Sequence, residues 1–208
     1  MIPVKICGIT NLGDARTAVE AGASAIGLVF WPSSPRCVAV PTARRIVQAL
    51  PPFVAAIGVF VNQMGSVQAI VSEVGLSAVQ LHGDEQPDQY SDLPIRVIKA
   101  VPVTDGATRR AADAVPPTVT VLLDAHDPVK RGGTGRAVDW SVAAAIARER
   151  PVILSGGLHA GNVADAIRIV QPYGIDVSSG VESAPGRKDA AKLRQLFDVL
   201  RHASVEHS

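Results

Sequence analysis

Aromatic residues and cysteines are both scarce in this chain. Only 4% of its 208 residues are Phe, Trp or Tyr, whereas 47% are hydrophobic, so Val, Ile, Leu and Ala must build most of the core. These residues are typical of buried parallel strands and of the helices that cover them. The two cysteines, Cys7 and Cys37, are fewer than a disulfide-stabilised secreted protein of this length would carry. We therefore expect a reducing, cytoplasmic setting.

Long hydrophobic runs and blocks of like charge are also lacking. The longest apolar run, 53–61, is far shorter than the roughly 18 residues that a membrane-spanning helix needs, and the N-terminus has no signal-peptide pattern. The net charge is +1, without the clustered Lys and Arg of a nucleic-acid-binding surface. We expect neither a membrane nor a nucleic-acid partner.

Eight short apolar segments recur along the chain at fairly even spacing. Most are almost continuously apolar, which is typical of strands buried on both faces. The eight segments are Val4–Gly8, Ala25–Phe30, Phe53–Phe60, Ala78–Gly83, Arg96–Val101, Thr120–Ala125, Pro151–Gly157 and Ile175–Gly180.

Helix signals lie between these segments. Asn11 can cap a helix that Gly22 ends, and Pro41 suits the first turn of a second helix. A further helix is predicted to start at Ser66 and to end at Gly75. Others are predicted to start at Asp139 or Ser141, between His159 and Asn162, and near Asp189, the last one ending at about Leu200. The polar stretch 87–92 is too short to predict a helix.

The alternation of strand and helix predicts an α/β fold, a small single-domain (β/α)8 TIM barrel over residues 1–208. A doubly wound open sheet is the alternative. Eight strands without any sign of a second domain favour the closed barrel.

Glycines and polar side chains stand where the predicted strands end, and barrel enzymes carry their active sites at these ends. Gly156 and Gly157 follow the seventh strand, and Ser179 and Gly180 follow the eighth. Such turns can aim backbone N–H groups at an anion, and a phosphate site after strands seven and eight is common in barrels. Two adjacent turns of this kind favour a phosphate site over ordinary turns.

Five side chains near strand ends each have a structural and a functional interpretation. Cys7 is either buried filler or a thiolate base, whose pKa nearby amides would depress. Asp124 either caps loop amides or acts as an acid whose pKa is raised by burial. Arg36 either holds a carboxylate or faces water. His82 is predicted to form hydrogen bonds at the pocket rim, and Lys99 either forms a Schiff base or pairs with a carboxylate.

Taken together, the segments resemble the phosphoribosylanthranilate isomerase family, small (β/α)8 enzymes of tryptophan biosynthesis. One such segment would be weak evidence, but nine in the family's order across almost the whole chain are specific. They are Lys5–Thr10, Gly27–Arg36, Gly58–Asn62, Gln80–Glu85, Val97–Val101, Leu122–Ala125, Gly132–Trp140, Leu154–Leu158 and Asp176–Asp189.

The resemblance implies an Amadori rearrangement of N-(5-phosphoribosyl)anthranilate to 1-(2-carboxyphenylamino)-1-deoxyribulose 5-phosphate, with no cofactor and no metal. Asp124 would be the general acid that opens the sugar ring, and Cys7 the general base that removes the C2 proton. Arg36 would hold the anthranilate carboxylate. The turns at 156–157 and 179–180 would hold the phosphate through backbone amides.

The same resemblance implies supporting roles for Lys5, His82 and Asp176 in the pocket. The segment 132–135 would be a loop that helps to close over the substrate, whereas Lys130 and Arg131 are expected to face water. Family members include monomers and homodimers, and both states stay open for this chain.

Two features qualify the resemblance. Cys37 stands where an aromatic or apolar residue is expected, and on oxidation it could form a disulfide with Cys7.

A sister isomerase of histidine biosynthesis runs the same chemistry with an aspartate base and a second phosphate site, whereas this chain has Cys7 and no Gly-rich turn after strands three and four. A Schiff-base lyase using Lys99 or Lys5 and a non-catalytic phosphate sensor are further alternatives.

Overall fold

Eight parallel strands form a closed barrel in a computed structural model that describes residues 2–63, 65–103, 107–124 and 140–205. Each strand pairs with the next along the chain, and β8 pairs with β1 to close the barrel. The strands are β1 (Val4–Cys7), β2 (Ala25–Val29), β3 (Ala55–Phe60), β4 (Ala78–Leu81), β5 (Arg96–Pro102), β6 (Thr120–Asp124), β7 (Val152–Ser155) and β8 (Gly174–Val177). The predicted barrel is confirmed, and the open sheet is wrong.

Seven α-helices surround the barrel in the described part of the chain. They are α1 (Leu12–Ala21), α2 (Val40–Gln48), α3 (Val67–Val74), α4 (Thr108–Asp113), α5 (Ser141–Ala147), α6 (Val163–Val170) and α7 (Ala190–Val205). None of these helices is both long enough and apolar enough to cross a bilayer.

Several helix ends follow the predicted capping chemistry. The side chain of Asn11 accepts a hydrogen bond from the backbone N–H of Asp14 at 2.9 Å, and Gly22 ends α1 with φ 126°. Pro41 lies in the first turn of α2, and Gly75 ends α3 in the left-handed conformation. Helix α7 runs to Val205, five residues beyond the predicted end.

In the described stretch between β4 and β5 no α-helix is found, in agreement with the polar stretch 87–92 that was too short to predict one. A single 3₁₀ turn, Pro87–Tyr90, takes the place of an α-helix there. The short helix α4 was not predicted, because its six residues include no large apolar side chain.

The barrel interior is separate from the layer between strands and helices. In β1, Val4 and Ile6 pack in the large core that includes helix residues, so Lys5 and Cys7, at alternate positions, point into the barrel. A second cluster contains strand residues only and lies inside the barrel: Ala25, Ile57, Ala78, Ile98, Ala100 and Leu122. The polar side chains of the site therefore lie next to a layer of apolar side chains inside the barrel.

The chain after β8 forms a support that was not predicted. A 3₁₀ turn, Ser179–Val181, leads into a two-stranded antiparallel hairpin of β9 (Glu182–Ala184) and β10 (Arg187–Lys188). Gly186 lies in its turn with φ 77°, a left-handed value that favours glycine. This hairpin carries two charged residues of the site.

Candidate active site

The thiol of Cys7 lies at the carboxyl end of β1, where a glycine on the next strand makes room for it. Gly27 of β2 pairs with Cys7, and a Cβ built on Gly27 would lie 2.7 Å from the sulfur and 3.0 Å from Cε of Lys5. Real Cβ atoms do not approach other atoms so closely. The absence of a side chain at position 27 thus leaves the space that the thiol and the lysine occupy.

Burial raises the pKa of the Cys7 thiol above its usual value. The positive charge of Lys5 opposes this shift, the negative charge of Asp176 reinforces it, and Lys188 opposes it again. The expected depression of the pKa is therefore wrong in sign. The loss of hydration destabilises the thiolate by more than the charges of Lys5 and Lys188 stabilise it.

Lys5 and Asp176 form a buried ion pair beside the thiol. Their Nζ and Oδ1 atoms are 3.0 Å apart, and the two side chains are 4% and 5% exposed. Burial alone would lower the pKa of Lys5, but Asp176 and then Cys7 outweigh it, so the pKa is raised. Lys5 is held as an ammonium ion, which disfavours it as a Schiff-base lysine.

Asp124 ends β6, and its side chain is 24% exposed. The Nε2 atom of His82 lies 3.4 Å from Oδ2 of Asp124. On its other side, Nδ1 of His82 lies 2.8 Å from Nε2 of Gln80, whose Oε1 accepts a hydrogen bond from Lys5 at 2.9 Å. The structure thus brings His82 to the candidate acid through Gln80, a residue that the sequence did not single out.

Arg36 is held by a carboxylate of the hairpin. Its Nε and Nη2 atoms donate to Oε1 and Oε2 of Glu182 at 2.9 and 2.6 Å. These bonds use one edge of the guanidinium, and the Nη1–Nη2 edge is a second pair of donors suited to a carboxylate. Gly8, with φ 77°, lies under the arginine, since a Cβ there would come 2.5 Å from Cδ of Arg36.

Glu182 also pairs with Lys188, which links the hairpin to Cys7. The Nζ of Lys188 donates to Oε1 of Glu182 at 2.9 Å and to the carbonyl oxygens of Cys7 and Ser178 at 2.5 and 3.2 Å. Burial lowers the pKa of Lys188 against the opposing effect of Glu182. Burial alone would raise the pKa of Glu182, but Arg36 and Lys188 lower it overall.

Glu182 and Lys188 were missed at the sequence level. Their only signal was the position of two charged residues on either side of Gly186, in a segment already noted for its resemblance.

The two Gly/Ser turns after β7 and β8 pack against each other. A Cβ on Gly180 would overlap the carbonyl oxygen of Leu158, which follows the first turn. Gly156 and Gly157 have φ values of 97° and 62°. Residues 156 and 157 follow β7, residues 179 and 180 follow β8, and each has a backbone N–H group in its turn. These are the donors that an anion would require.

Other expected features lie apart from this group or outside the described residues. Lys99 donates to the carbonyl oxygen of Gly83 rather than to a carboxylate, and burial lowers its pKa. Cys37 is exposed and Cys7 is buried, and both are free thiols. The segment 132–135, with Lys130 and Arg131, lies outside the described residues.

By its closed barrel and by the ends of the strands that carry its polar groups, the chain falls in the class of small (β/α)8-barrel enzymes. Among the described residues, no three His, Cys, Asp or Glu side chains are arranged to hold a metal ion.

Comparisons with known proteins give the family within this class. The model of the N-(5′-phosphoribosyl)anthranilate (PRA) isomerase family matches residues 4–199. The N-(5′-phosphoribosyl)anthranilate isomerase of Pelobacter propionicus is 47% identical over 207 residues, covering 99% of both chains. The one of Trichlorobacter lovleyi is 50% identical over 210 residues, covering 98% of this chain and 100% of that protein.

Solved structures agree with this result. Phosphoribosyl anthranilate isomerase from Thermotoga maritima superimposes with a TM-score of 0.89 at 43% identity, covering 97% of this chain and 100% of that one. A second structure, 41% identical with a TM-score of 0.86 and the same coverage, holds reduced 1-(o-carboxyphenylamino)-1-deoxyribulose 5-phosphate. The chain belongs to the N-(5′-phosphoribosyl)anthranilate isomerase family.

Proposed function

We propose that the chain catalyses the Amadori rearrangement of N-(5-phosphoribosyl)anthranilate to 1-(2-carboxyphenylamino)-1-deoxyribulose 5-phosphate, in tryptophan biosynthesis. The proposal rests on one observation about a chain of this family: a thiol, Cys7, and a carboxyl group, Asp124, both lie at the carboxyl end of the same barrel. The reaction moves protons without net oxidation, so an acid and a base suffice for it.

Asp124 is the group we assign as general acid. It gives a proton to the ring oxygen of the ribose, the bond between C1 and this oxygen breaks, and the anthranilate nitrogen supplies the electron pair that forms the C1 imine. His82 lies against one oxygen of this carboxyl group. An N–H donor there stabilises the carboxylate that remains after the proton has left.

Cys7 is the group we assign as general base. Its thiolate takes the proton from C2, the electron pair of that bond forms the C1–C2 double bond, and the iminium nitrogen becomes an enamine. The enol then tautomerises to the C2 ketone. Burial raises the pKa of Cys7, whereas the positive charges of Lys5 and Lys188 lower it. The two charges are therefore needed for part of the thiol to be ionised near neutral pH.

Around the barrel, strands β1 and β6 are separated by β7 and β8 on one side and by β2, β3, β4 and β5 on the other. The acid and the base therefore approach a sugar ring at the centre of the mouth from different directions, as the two proton transfers require.

Two anion contacts would hold the ends of the substrate. The Nη1–Nη2 edge of Arg36 suits the anthranilate carboxylate, while Glu182 fixes the opposite edge. The amides of 156–157 and 179–180 suit the phosphate. The ligand of the solved relative carries both groups, a carboxyphenylamino group and a 5-phosphate.

The test is turnover of freshly prepared N-(5-phosphoribosyl)anthranilate, followed by the loss of its anthranilate fluorescence. Wild-type protein should turn the substrate over, and Cys7→Ser and Asp124→Asn should each reduce kcat by at least about a hundredfold while near-UV circular dichroism stays native. Cys37→Ser, a second thiol outside the proposed machinery, is the matched control and should keep wild-type activity. Wild-type turnover that survived either of the first two changes would reject that residue's role.

The state of association is a separate question. A solved structure that is 39% identical holds monomers generated from the dimeric isomerase of Thermotoga maritima. For this chain, sedimentation equilibrium over a range of concentrations separates a monomer from a homodimer.

A further inference from the structure

Gln80 is a polar side chain in the interior of the barrel with no role in the steps above. It lies on β4, is 1% exposed, and stands between two groups of opposite function. On one side is the ammonium of Lys5 and on the other the imidazole of His82. Burying an amide in this place is costly unless both ends are hydrogen-bonded, and here both ends are.

The orientation of the Gln80 amide follows from its neighbours. An ammonium group has only donors, so the Gln80 atom that lies 2.9 Å from Nζ of Lys5 must be the carbonyl oxygen, Oε1. Asp176, which pairs with Lys5 at 3.0 Å, holds that ammonium in place. The NH₂ group of Gln80 therefore faces His82.

The tautomer of His82 follows in turn. An amide NH₂ group only donates, so Nδ1 of His82, at 2.8 Å, must accept and carries no proton. The proton of the neutral ring is then on Nε2. This is the nitrogen that lies 3.4 Å from Oδ2 of Asp124. The distance is longer than an ordinary hydrogen bond, and catalytic hydrogen bonds are often long until substrate is bound.

We propose that Gln80 is a positioning residue that holds His82 in its Nε2–H tautomer, so that His82 donates to Oδ2 of Asp124 and the acidic proton of Asp124 is kept on Oδ1. An oxygen that accepts from His82 is a poor site for the acid's own proton, whereas the other oxygen keeps it. The proposal rests on the assignment of Asp124 as general acid.

The proposal also gives the Lys5–Asp176 pair a second effect. The pair lies beside the base, and through Gln80 it orients the histidine that contacts the acid. Among the described side chains, Gln80 from β4 presents a donor to His82 and Asp124 from β6 presents an acceptor. A donor on one side and an acceptor on the other together favour a single tautomer.

The direct test is the ¹⁵N–¹H spectrum of the histidine rings in the resting enzyme, with His82→Asn to assign the signals of His82. The expected spectrum has a protonated Nε2 and an unprotonated Nδ1. In Gln80→Glu, which has nearly the same shape, an acceptor oxygen replaces the NH₂ group. Nδ1 should then become protonated, and kcat should fall by about tenfold or more with KM little changed.

Gln86→Glu is the matched control, because Gln86 is exposed and its side-chain amide donates to the carbonyl oxygen of Asp84. It should change neither the spectrum of His82 nor kcat. A protonated Nδ1 in the wild type would overturn the proposal even if Gln80→Glu failed to fold. So would a tautomer that switched in Gln80→Glu without any loss of kcat.

The spectrum is recorded without substrate, so its result does not depend on the role of Asp124. If Asp124→Asn kept full activity, the proposed function of Asp124 would fail while the tautomer remained as measured.

Discussion

At the scale of single residues, the space beside a thiol matters as much as the thiol itself. The Cys7 sulfur and the Lys5 side chain fill the volume that a side chain at Gly27 would occupy. The glycine lies in the middle of a paired strand, where glycine otherwise weakens a sheet. Its presence there is explained by the two groups that it accommodates.

Gly27→Ala should therefore displace the sulfur or the lysine and reduce kcat by about tenfold or more, because small misplacements of reacting groups are costly. The free energy of unfolding should fall as well, by roughly 1–3 kcal/mol, as overpacked cores do. Gly65→Ala is the control, since a Cβ at Gly65 would meet nothing within 4 Å. Steady-state kinetics and urea unfolding of both variants measure these effects, and wild-type kinetics for Gly27→Ala would contradict the account.

The pKa of Cys7 predicts the pH dependence of the reaction. A base acts when it is deprotonated, and burial raises the pKa of Cys7 above the usual value of a cysteine, so kcat/KM should still rise with pH through the neutral range. The thiolate absorbance of wild type minus that of Cys7→Ser, recorded against pH, measures the same ionisation directly. Full ionisation of the Cys7 thiol at neutral pH would contradict the account, because it would show that Lys5 and Lys188 lower the pKa by more than burial raises it.

At the scale of elements, the β9–β10 hairpin holds in place Arg36, the arginine proposed to bind the substrate carboxylate. Glu182 receives two bonds from Arg36 and one from Lys188, and the backbone N–H of Gly186 also donates to it at 3.3 Å. The hydroxyl of Thr10 donates to the carbonyl oxygen of Gly186 at 2.7 Å and so fastens the hairpin to the loop after β1. The orientation of Arg36 is thus set before substrate arrives.

Glu182→Gln should raise KM by about tenfold with a smaller change in kcat, because the substitution loosens Arg36 without touching Cys7 or Asp124. Glu149→Gln is the matched control, since Glu149 pairs with Arg109 on the exposed surface and should leave KM unchanged. Steady-state kinetics on the anthranilate substrate measures both. A fall in kcat alone would mean that Glu182 acts on the base through Lys188.

Elements differ in how far their sequence determines them. Continuous apolar runs predicted all eight strands, and glycines such as Gly22 and Gly75 predicted helix ends because the left-handed conformation favours that residue. The 3₁₀ turn at Pro87–Tyr90 and the hairpin depend on contacts with distant parts of the chain. Local periodicity carries no trace of such contacts.

The residues of the candidate site also differ in how far the sequence alone could reveal them. Cys7 and Asp124 could be singled out as polar residues at predicted strand ends, whereas their roles as base and acid came from the family resemblance. Gln80 could not be found, since its role depends on Lys5, 75 residues away. Glu182 and Arg36 are 146 residues apart, and no spacing rule connects them.

At the scale of the whole molecule, function and stability are separated along the barrel axis. The polar groups of the site lie at the carboxyl ends of the strands, whereas Arg150 lies just before β7 at the amino end. Its guanidinium donates to the backbone carbonyls of Ala112, Val115, Pro116 and Val119. It thereby holds the connection between α4 and β6.

Arg150→Met should lower the free energy of unfolding by roughly 2–3 kcal/mol, since charged donors to backbone carbonyls contribute about this much and the carbonyls would lose their partner. It should leave kcat and KM unchanged. Arg168→Met removes an exposed ion pair with Asp165 and should cost less than about 1 kcal/mol. Urea unfolding compares the two variants, and equal losses of stability would contradict the role given to Arg150.

The account's central claim is the division of labour between Asp124 and Cys7. Its most direct test is turnover of substrate deuterated at C2, measured in variants with residual activity. Cys7→Ser should show a large primary isotope effect on kcat, because loss of the C2 proton then limits the rate. Asp124→Asn should show almost none, because ring opening then limits the rate. The reverse pattern, or equal isotope effects in both variants, would contradict the assignment of base and acid.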